Sequence, residues 1–182
     1  TRPRGADPAG DAALARDLAD SVKDRAENLM IVDLLRNDLG KVCIPGSIEV
    51  PKLFAVQSYS NVHHLVSTIT GRLAPGEDAL SALRAAFPGG SITGAPKRRA
   101  MEIIAELEPE ARGLYCGCIG YIGRDGAMDS NIAIRTLTWQ DGQARFAAGG
   151  GIVADSNDDA EYQECLDKAR PIMALLETRS DR

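Results

Sequence analysis

The sequence predicts an α+β fold in which helices pack with mixed or antiparallel sheets. Helical and strand-like patterns occur in clusters along the chain, and they do not alternate one by one as in a parallel doubly wound sheet. The 182 residues, of which 44% are hydrophobic and 26% charged, suffice for a sizeable core and are typical of a globular protein. We therefore expect a folded domain, or a large part of one, over residues 11–177.

The first part of the chain predicts a loop, a long helix and short strands. Residues 1–10 are rich in proline and glycine, which predicts a loop. Apolar residues spaced four and three apart predict a helix over residues 11–37, with Asp11 as its N-cap and Gly40 just beyond its end. Runs of β-type residues bounded by turn residues then predict strands at residues 42–44, 47–56 and 63–70.

The remainder predicts further helices and a second group of strands. One helix is predicted at residues 77–86, the next is opened by Pro96, and the last covers residues 158–176. Pro171 lies inside that last helix, where it should kink the helix or remove a hydrogen bond. Residues 178–182 are expected to form a tail. Strands are predicted at residues 115–122, 131–139 and 143–147.

The composition argues against several classes of protein. A net charge of −5, with one Trp, four Tyr and three Phe, disfavours a nucleic-acid binder, which needs a basic face or stacking platforms. No apolar run approaches the ~20 residues that a membrane span requires, and no signal-peptide pattern is present. The four Cys and two His do not form a zinc motif, so we expect reduced thiols in a cytoplasmic protein.

Two sets of carboxylates are candidates for binding a divalent cation, because spacings of three and four residues place each set on one face of a helix. They are Asp17, Asp20, Asp24 and Glu27 on the first helix, and Glu161 and Glu164 on the last. Mg²⁺ takes few protein oxygens and keeps positions open for a substrate, so two such helices could hold it. A solvated acidic helix face explains the same pattern, and the spacing leaves both readings open.

Two glycine-rich segments are candidate ligand-binding loops. Residues 89–97 lack the Gly-Lys-[Ser/Thr] ending of a P-loop, because Ala95 and Pro96 precede Lys97. They still offer a helix N-terminus, hydroxyls and a basic turn, which suit an anion; a proline-initiated helix with a solvated basic turn is the alternative. The three glycines at residues 149–151 indicate that the backbone closely approaches either a ligand carboxylate or a packing neighbour.

Two single side chains in predicted strands are further candidates. Arg135 lies in the apolar run of residues 132–137, where a charge is costly unless it clamps a carboxylate or forms a structural salt bridge. His64 shares a strand face with Val62 and Val66, where a histidine is either a core group or an acid or base. The residues alone do not separate these alternatives.

Taken together, these segments resemble the C-terminal part of the chorismate-utilising enzymes. The similarity covers residues 20–176, and several motifs are long enough to be highly specific. The motifs are residues 23–38 (KDRAENLMIVDLLRND), 62–67 (VHHLVS), 87–97 (FPGGSITGAPK), 117–121 (GCIGY), 134–136 (IRT), 148–156 (AGGGIVADS) and 161–164 (EYQE), with Lys168.

The resemblance implies the fold of that family and assigns roles to the candidate residues. It implies direct Mg²⁺ ligands at Glu27 and Glu164, with metal-bound water held by Asp24 and Glu161. It implies that substrate carboxylates are held by Arg135, Lys168 and the N–H groups of Gly149, Gly150 and Gly151. It implies a ring pocket lined by Tyr115, and it places the candidate catalytic residues there: His64, Ser91 and Thr93.

The resemblance also implies a reaction and a partner. Segments 87–97 and 148–156 are most similar to the branch that replaces the chorismate 4-hydroxyl by ammonia, which gives 4-amino-4-deoxychorismate for para-aminobenzoate and folate biosynthesis. The anthranilate branch more often has Thr-x-Ser at Ser91 and Thr93 and Ala at Gly150, and it is the alternative. In the family Mg²⁺ is template and Lewis acid, and a glutaminase subunit or domain supplies ammonia.

One departure from the family concerns the start of the chain. The aminodeoxychorismate branch carries its catalytic lysine in a Pro-Ile-Lys-Gly-Thr motif, and Thr1 corresponds to the last residue of that motif. The upstream general acid of the family has no counterpart either. The resemblance therefore predicts that these residues are an inactive fragment by themselves; a non-catalytic binding module is the other interpretation.

Overall fold

The structure is a computed structural model that describes residues 1–153 and 156–180, with side chains described up to residue 177. The chain divides into two compact units. The first comprises Thr1–Gly90 and Gly94–Ala100, and the second comprises Ser91–Thr93 and Met101–Arg182. Both units combine helices with antiparallel strands, which confirms the predicted α+β class.

The helices of the first unit are α1 (Pro8–Asp20), α2 (Val22–Gly40) and α3 (Ala79–Ala86). The single long helix predicted over residues 11–37 is wrong. Ser21 has a ψ of 112°, which interrupts the helix, and its hydroxyl accepts from the Asp24 N–H to cap α2. The side chain of Asp7 caps α1, and the predicted cap Asp11 lies inside that helix.

The sheet of the first unit contains β1 (Arg2–Pro3), β2 (Glu49–Ser58) and β3 (Val62–Thr70). Its strands are antiparallel and lie in the order β1-β3-β2. Leu18 of α1 and Val32 of α2 are buried, and both helices pack on β3. Strand β1 and the start of α1 occupy part of the loop predicted at residues 1–10. The strand predicted at residues 42–44 is reduced to an isolated bridge at Cys43.

A buried histidine and an ion pair fasten the N-terminal segment to this sheet. Arg4 donates two hydrogen bonds to the Asp11 carboxylate, at 2.7 and 2.6 Å. The buried His63 lies 3.0 Å from Asp11 through Nε2 and 2.8 Å from the Ser58 hydroxyl through Nδ1. Because a carboxylate only accepts, Nε2 carries a proton and donates to Asp11. Arg4 holds the pKa of Asp11 well below its usual range.

The second unit contains two antiparallel strand pairs and a long helix. Strand β4 (Cys118–Ile122) pairs with β5 (Met128–Ile132), and β6 (Thr138–Gln140) pairs with β7 (Gln143–Arg145). The strand predicted over residues 131–139 is wrong in its middle, because β5 ends before Arg135 and β6 begins after it. Arg135 has a φ of 51°, which a regular strand does not accommodate.

Two further helices complete the chain: α4 (Lys97–Leu107), which follows Pro96 as predicted, and α5 (Asp158–Ser180). Helix α5 continues through Pro171 and includes residues 178–180 of the predicted tail, whereas residues 181 and 182 lie outside the described part. None of the helices described is long and apolar enough to cross a membrane. The cysteines are free thiols, as predicted, and Cys43 and Cys116 are buried.

Candidate active site

The glycine segment 149–151 of the second unit lies unusually close to two side chains. A Cβ atom at Gly149 would lie 2.8 Å from the hydroxyl oxygen of Tyr115, and one at Gly150 would lie 3.1 Å from Oε2 of Glu161. Both distances are shorter than the contacts that side-chain atoms ordinarily make. The predicted close approach of backbone is therefore present, and its neighbours are side chains of the same unit. Residues 154 and 155 of the predicted motif lie outside the described residues.

Lys168 holds the same segment from α5. Its ammonium group donates to the carbonyl oxygen of Gly149 at 3.0 Å. It also lies 2.5 Å from Oε1 of Glu164, one helical turn earlier. Since the lysine side chain is only partly buried, its positive charge remains accessible beside the glycine segment.

Glu161 leaves one carboxylate oxygen unsatisfied. Its Oε1 accepts a 2.6 Å hydrogen bond from the Ser156 hydroxyl, which in turn accepts from the Val153 N–H at 3.0 Å. Its Oε2 is buried and has no hydrogen-bond partner among the described residues. A buried charged oxygen without a partner is costly, and a bound cation would offset that cost.

The oxygens around this point suit a hard cation. The Glu164 Oε1 lies 3.7 Å from the position that a Cβ of Gly150 would fill, so glycine leaves room next to both glutamates. Mg²⁺ binds through one or two protein carboxylates and keeps water or substrate in its other positions. Within residues 1–153 and 156–180, no group of three or more His, Cys, Asp and Glu side chains forms a metal cluster. The carboxylates of Glu161 and Glu164 both lie beside Gly150, and their role as metal-binding groups stays a prediction.

The carboxylates of the first unit do not form the continuous face that the spacing predicts. Because the helix is interrupted at Ser21, Asp17 and Asp20 belong to α1, whereas Asp24 and Glu27 belong to α2. The prediction of one acidic line along a single helix is therefore wrong.

Asp24 and Glu27 differ in their surroundings. Oδ2 of Asp24 accepts a 3.1 Å hydrogen bond from Arg2. Partial burial raises the pKa of Asp24, but hydrogen bonding to Ser21 and the charge of Arg2 outweigh it and leave the pKa below its usual value. Glu27 is exposed on α2. The metal-binding role that the resemblance implies for these two side chains stays a prediction.

Tyr115 lies between the glycine segment and an arginine. The guanidinium carbon of Arg112 is 5.9 Å from the centre of the Tyr115 ring, and the Tyr115 hydroxyl lies beside Gly149. Burial raises the pKa of Tyr115, so the phenol keeps its proton and can donate a hydrogen bond at neutral pH. Burial also raises the pKa of the adjacent Cys116 thiol, which disfavours a reactive thiolate there.

The anion site considered for residues 89–97 is not supported at Lys97. The Lys97 ammonium donates to Oδ2 of Asp38 at 2.5 Å and to the carbonyl oxygen of Ala86 at 3.3 Å. Asp38 is 2% exposed and also accepts from Lys41 at 2.8 Å. Lys97 therefore has a structural role at the start of α4. Ser91 lies in a short 3-10 turn at Gly90–Ile92 and is exposed.

Of the two histidines on β3, the buried one is His63 rather than His64. His64 is half-buried, pairs in register with Gln57 and contacts the Tyr59 ring edge-on, with ring centres 5.9 Å apart. Arg135 is exposed and forms no ion pair with the described residues. Its predicted place in a strand is wrong, and its role as a carboxylate clamp stays a prediction.

Sequence reasoning missed Arg112, Asp38 and Asn28. Asn28 ties α2 to β3, because its Nδ2 donates to the Leu65 carbonyl at 3.2 Å and its Oδ1 accepts from the Ser67 hydroxyl at 2.5 Å. For Asn28 and Asp38, the available signal was a polar side chain in the helical sequence of α2. Several of their partners lie far along the chain, such as Lys97 for Asp38 and Ile92 for Arg112, and no local pattern identifies such partners.

The fold and the acidic, glycine-lined site define a class of protein. The sequence matches the family described as chorismate binding enzyme over residues 1–174, and the chain belongs to that family. This confirms the resemblance that the motifs predict.

Particular relatives can then be named. The chain is similar to aminodeoxychorismate synthase component 1 of Salmonella typhimurium, with 61% identity over 97% of this chain and 39% of the relative. It is 56% identical to anthranilate synthase component 1 of Streptomyces coelicolor over 97% of this chain and 34% of that relative. The crystal structure of anthranilate synthase component I from Streptococcus pneumoniae TIGR4 matches with a TM-score of 0.82 and 47% identity, covering 88% of this chain and 37% of the other. The chain thus spans less than half the length of these relatives.

Proposed function

We propose that this chain is the magnesium- and carboxylate-binding part of an aminodeoxychorismate synthase. In the proposed reaction the C4–O bond of chorismate breaks, a C–N bond to ammonia forms and water leaves, which gives 4-amino-4-deoxychorismate for para-aminobenzoate and folate synthesis. The observation that supports it most is the close approach of the glycine segment 149–151 to Glu161, whose Oε2 has no hydrogen-bond partner among the described residues. The 61% identity to the Salmonella typhimurium component favours this branch of the family.

The proposed cofactor is Mg²⁺, with Glu164 as a direct ligand and Glu161 holding metal-bound water. Asp24 and Glu27 keep the roles that the family resemblance implies. When bound, the ion supplies Lewis acidity and charge neutralisation at the ring carboxylate of the substrate. A protein with a net charge of −5 can then bind a dianion, because the ion is the largest local charge.

The chain's own residues bind and orient the substrate in this proposal. Lys168, already fixed by Gly149 and Glu164, offers its ammonium group to a substrate carboxylate. The protonated Tyr115 lines the ring pocket as a hydrogen-bond donor. The other proposed contacts come from the exposed guanidinium of Arg135, the N–H groups of Gly149, Gly150 and Gly151, and the side chains of His64, Ser91 and Thr93.

The proposal includes a glutaminase subunit or domain that supplies ammonia, a cytoplasmic location, and neither a nucleic-acid nor a membrane partner. Ammonia is a neutral nucleophile whose ammonium form predominates at neutral pH, so a partner that releases it beside the site raises its local concentration. Synthesis from glutamine should therefore require the partner, whereas synthesis from added ammonium salts should not.

Anthranilate synthesis is the second candidate function. The observation that favours it is the 56% identity to the Streptomyces coelicolor anthranilate synthase component over almost the whole chain. Both candidates use the same carboxylate and metal contacts, so the geometry of the second unit supports them equally. The branch is decided by the product.

Product analysis of the protein at its native length tests the proposal. The protein is incubated with chorismate, MgCl₂ and an ammonium salt, and the products are separated by liquid chromatography with mass detection. We expect 4-amino-4-deoxychorismate; anthranilate as the product would replace the first candidate by the second. A protein that binds chorismate in calorimetry but never consumes it would be a non-catalytic binding module.

A further inference from the structure

We propose that Arg112 is a positioning residue that ties the segment Ser91–Thr93 to Tyr115. The inference deepens the proposed function and rests on it, because Ser91, Thr93 and Tyr115 are the residues proposed to face the substrate ring. The segment, the arginine and the tyrosine all belong to the second unit. Arg112 itself is in none of the motifs that carry the family resemblance.

Arg112 uses three guanidinium nitrogens for three separate bonds. Its Nε and Nη2 donate to the two carboxylate oxygens of Glu108, at 2.8 and 2.6 Å. Its Nη1 donates to the carbonyl oxygen of Ile92 at 2.8 Å. The bidentate pair fixes the plane of the guanidinium group, so the third donor has one direction in which to point.

The bond to Ile92 acts on the backbone between the two hydroxyl-bearing residues. Ile92 lies directly between Ser91 and Thr93 in the sequence. Holding its carbonyl oxygen therefore fixes the peptide that joins Ile92 to Thr93 and limits the rotation of the peptide before it. The segment contains a single 3-10 turn at Gly90–Ile92, a conformation whose hydrogen-bond geometry is poorer than that of an α-helix.

The same guanidinium group reaches Tyr115 on its other side. The Tyr115 ring centre is 5.9 Å from the guanidinium carbon, within the range of a cation–π contact. The Tyr115 N–H donates to the Arg112 carbonyl oxygen at 3.0 Å, which closes a turn between the two residues. Because the Tyr115 hydroxyl abuts Gly149, contacts run without a gap from Ile92 through Arg112 and Tyr115 to the glycine segment.

The Glu108–Arg112 pair is more than a surface ion pair. Helix α4 ends at Leu107, so the two side chains are not neighbours on one helical face. The Arg112 side chain is 24% exposed, whereas an exposed pair such as Asp167–Arg170 leaves its arginine 71% exposed. Exposed pairs contribute little to stability, and the bond to Ile92 is what gives Arg112 a role in positioning.

The test compares variants of the protein at its native length. Arg112→Lys keeps the positive charge but cannot make the bidentate pair and the carbonyl bond together. Arg112→Gln removes the charge, and Glu108→Gln weakens the anchor while leaving the donor to Ile92 in place. Arg170→Lys is the matched control, because it changes an exposed arginine of the same unit. For each variant we measure kcat and KM for chorismate, the melting temperature, and the NMR signal of ¹³Cζ-labelled Tyr115 as a function of pH.

We expect Arg112→Lys and Arg112→Gln to lower kcat by about 10- to 100-fold, because misplacing reacting groups by about 1 Å costs a factor of that size. Glu108→Gln should have a smaller effect, and Arg170→Lys should stay within about two-fold of the wild type. Arg112→Gln should also shift the Tyr115 signal and raise the pKa of Tyr115, because a nearby cation favours the phenolate.

Two results would overturn the inference. One is an unchanged kcat and KM in both Arg112 variants, with or without a lower melting temperature, because Arg112 would then serve stability alone. The other is an unchanged Tyr115 signal in Arg112→Gln, because the two side chains would then not be coupled. The NMR result does not depend on turnover, so a wild-type protein that makes no amination product would refute the proposed function and still leave the contact testable.

Discussion

The two units of this protein hold particular charged side chains in different surroundings. In the first unit, the buried carboxylate of Asp38 accepts from Lys97 at 2.5 Å and from Lys41 at 2.8 Å. In the second unit, the buried Oε2 of Glu161 has no partner in the part of the chain that the structure describes. Arg135 in that unit is exposed and likewise forms no ion pair with described residues.

We interpret this as a difference between a charge that stabilises the fold and charges that we propose bind a ligand. A buried carboxylate that is paired with ammonium groups has its charge compensated. Removing the carboxylate would leave a partly buried ammonium group without compensation and would destabilise the fold. The buried Oε2 of Glu161, beside the glycine segment 149–151, leaves a contact that the proposed cation or its water would complete. Substitutions of these charges should therefore change different quantities: the free energy of unfolding in the first unit, and activity or cation binding in the second.

The largest effect is expected from the proposed metal ligands. Glu164→Gln and, separately, Glu27→Gln in the protein at its native length should lower kcat/KM for chorismate by about 10²- to 10³-fold, because a metal contributes several kcal/mol of charge stabilisation. Steady-state assays over a range of MgCl₂ concentrations measure the loss. Glu177→Gln, an exposed glutamate on the same helix as Glu164, is the control. Near-normal rates in both ligand variants would contradict the metal assignment.

In the first unit, the expected loss is one of stability. Asp38→Asn leaves Lys97 without its carboxylate partner in a buried position, and this should lower the free energy of unfolding by about 3–5 kcal/mol. Urea unfolding followed by circular dichroism measures it. Asp33→Asn removes an exposed pair with Arg36 and should change the free energy by no more than about 0.5 kcal/mol. Equal losses in the two variants would show that the Asp38 pairs are not structural.

Gly149→Ala tests the close approach in the second unit. The new methyl carbon would lie 2.8 Å from the Tyr115 hydroxyl oxygen, and this overpacking should cost about 1–3 kcal/mol of stability. Tyr115→Phe removes the hydroxyl, so the double variant should recover most of the loss. A double-mutant cycle measured by chemical unfolding gives the coupling. A cycle with purely additive effects would mean that the two groups are not in contact.

The smallest effect is expected from the pH dependence at Asp11. Its pKa in the folded protein is held well below its usual range by hydrogen bonding to Arg4, so its contribution to stability is present above about pH 4 and is lost as the pH falls through the folded pKa. Asp11→Asn should therefore lower the melting temperature at pH 7 and flatten its decline below pH 4. Thermal melts between pH 2 and pH 7 check this, with the exposed Asp20→Asn as control. An equally steep acid decline in wild type and Asp11→Asn would exclude this role for Asp11.

The sequence predicted the elements whose signals are local. Three features could be predicted from short stretches of consecutive residues: helix α5, strand β3 and the close approach of backbone at residues 149–151. The structure contains all three. The break at Ser21 was missed because the apolar spacing continues through Val22, which is 83% exposed in the structure. The bend at Arg135 was missed because its apolar neighbours mimic a strand, and an arginine gives no sign of a positive φ.

Contacts between distant segments could not be predicted from one sequence. Lys97 lies 59 residues from Asp38 and Ile92 lies 20 residues from Arg112, and only the folded chain brings each of these pairs together. Spacing did place Glu161 and Glu164 on one helical face. Spacing could not show that Ser156 would satisfy one oxygen of Glu161 and leave the other without a partner.

Cation binding by the second unit tests the contrast between the two units most directly. Mn²⁺, used in place of Mg²⁺ because it is paramagnetic, is titrated into the protein at its native length, and the free ion is followed by electron paramagnetic resonance. We expect Glu161→Gln to weaken binding by at least about ten-fold, since losing a supporting contact of a metal site commonly costs that much, while Asp38→Asn, measured under folded conditions, leaves binding unchanged. Equal Mn²⁺ affinity in the wild type and Glu161→Gln would contradict the assignment of the unsatisfied Glu161 oxygen to a cation site.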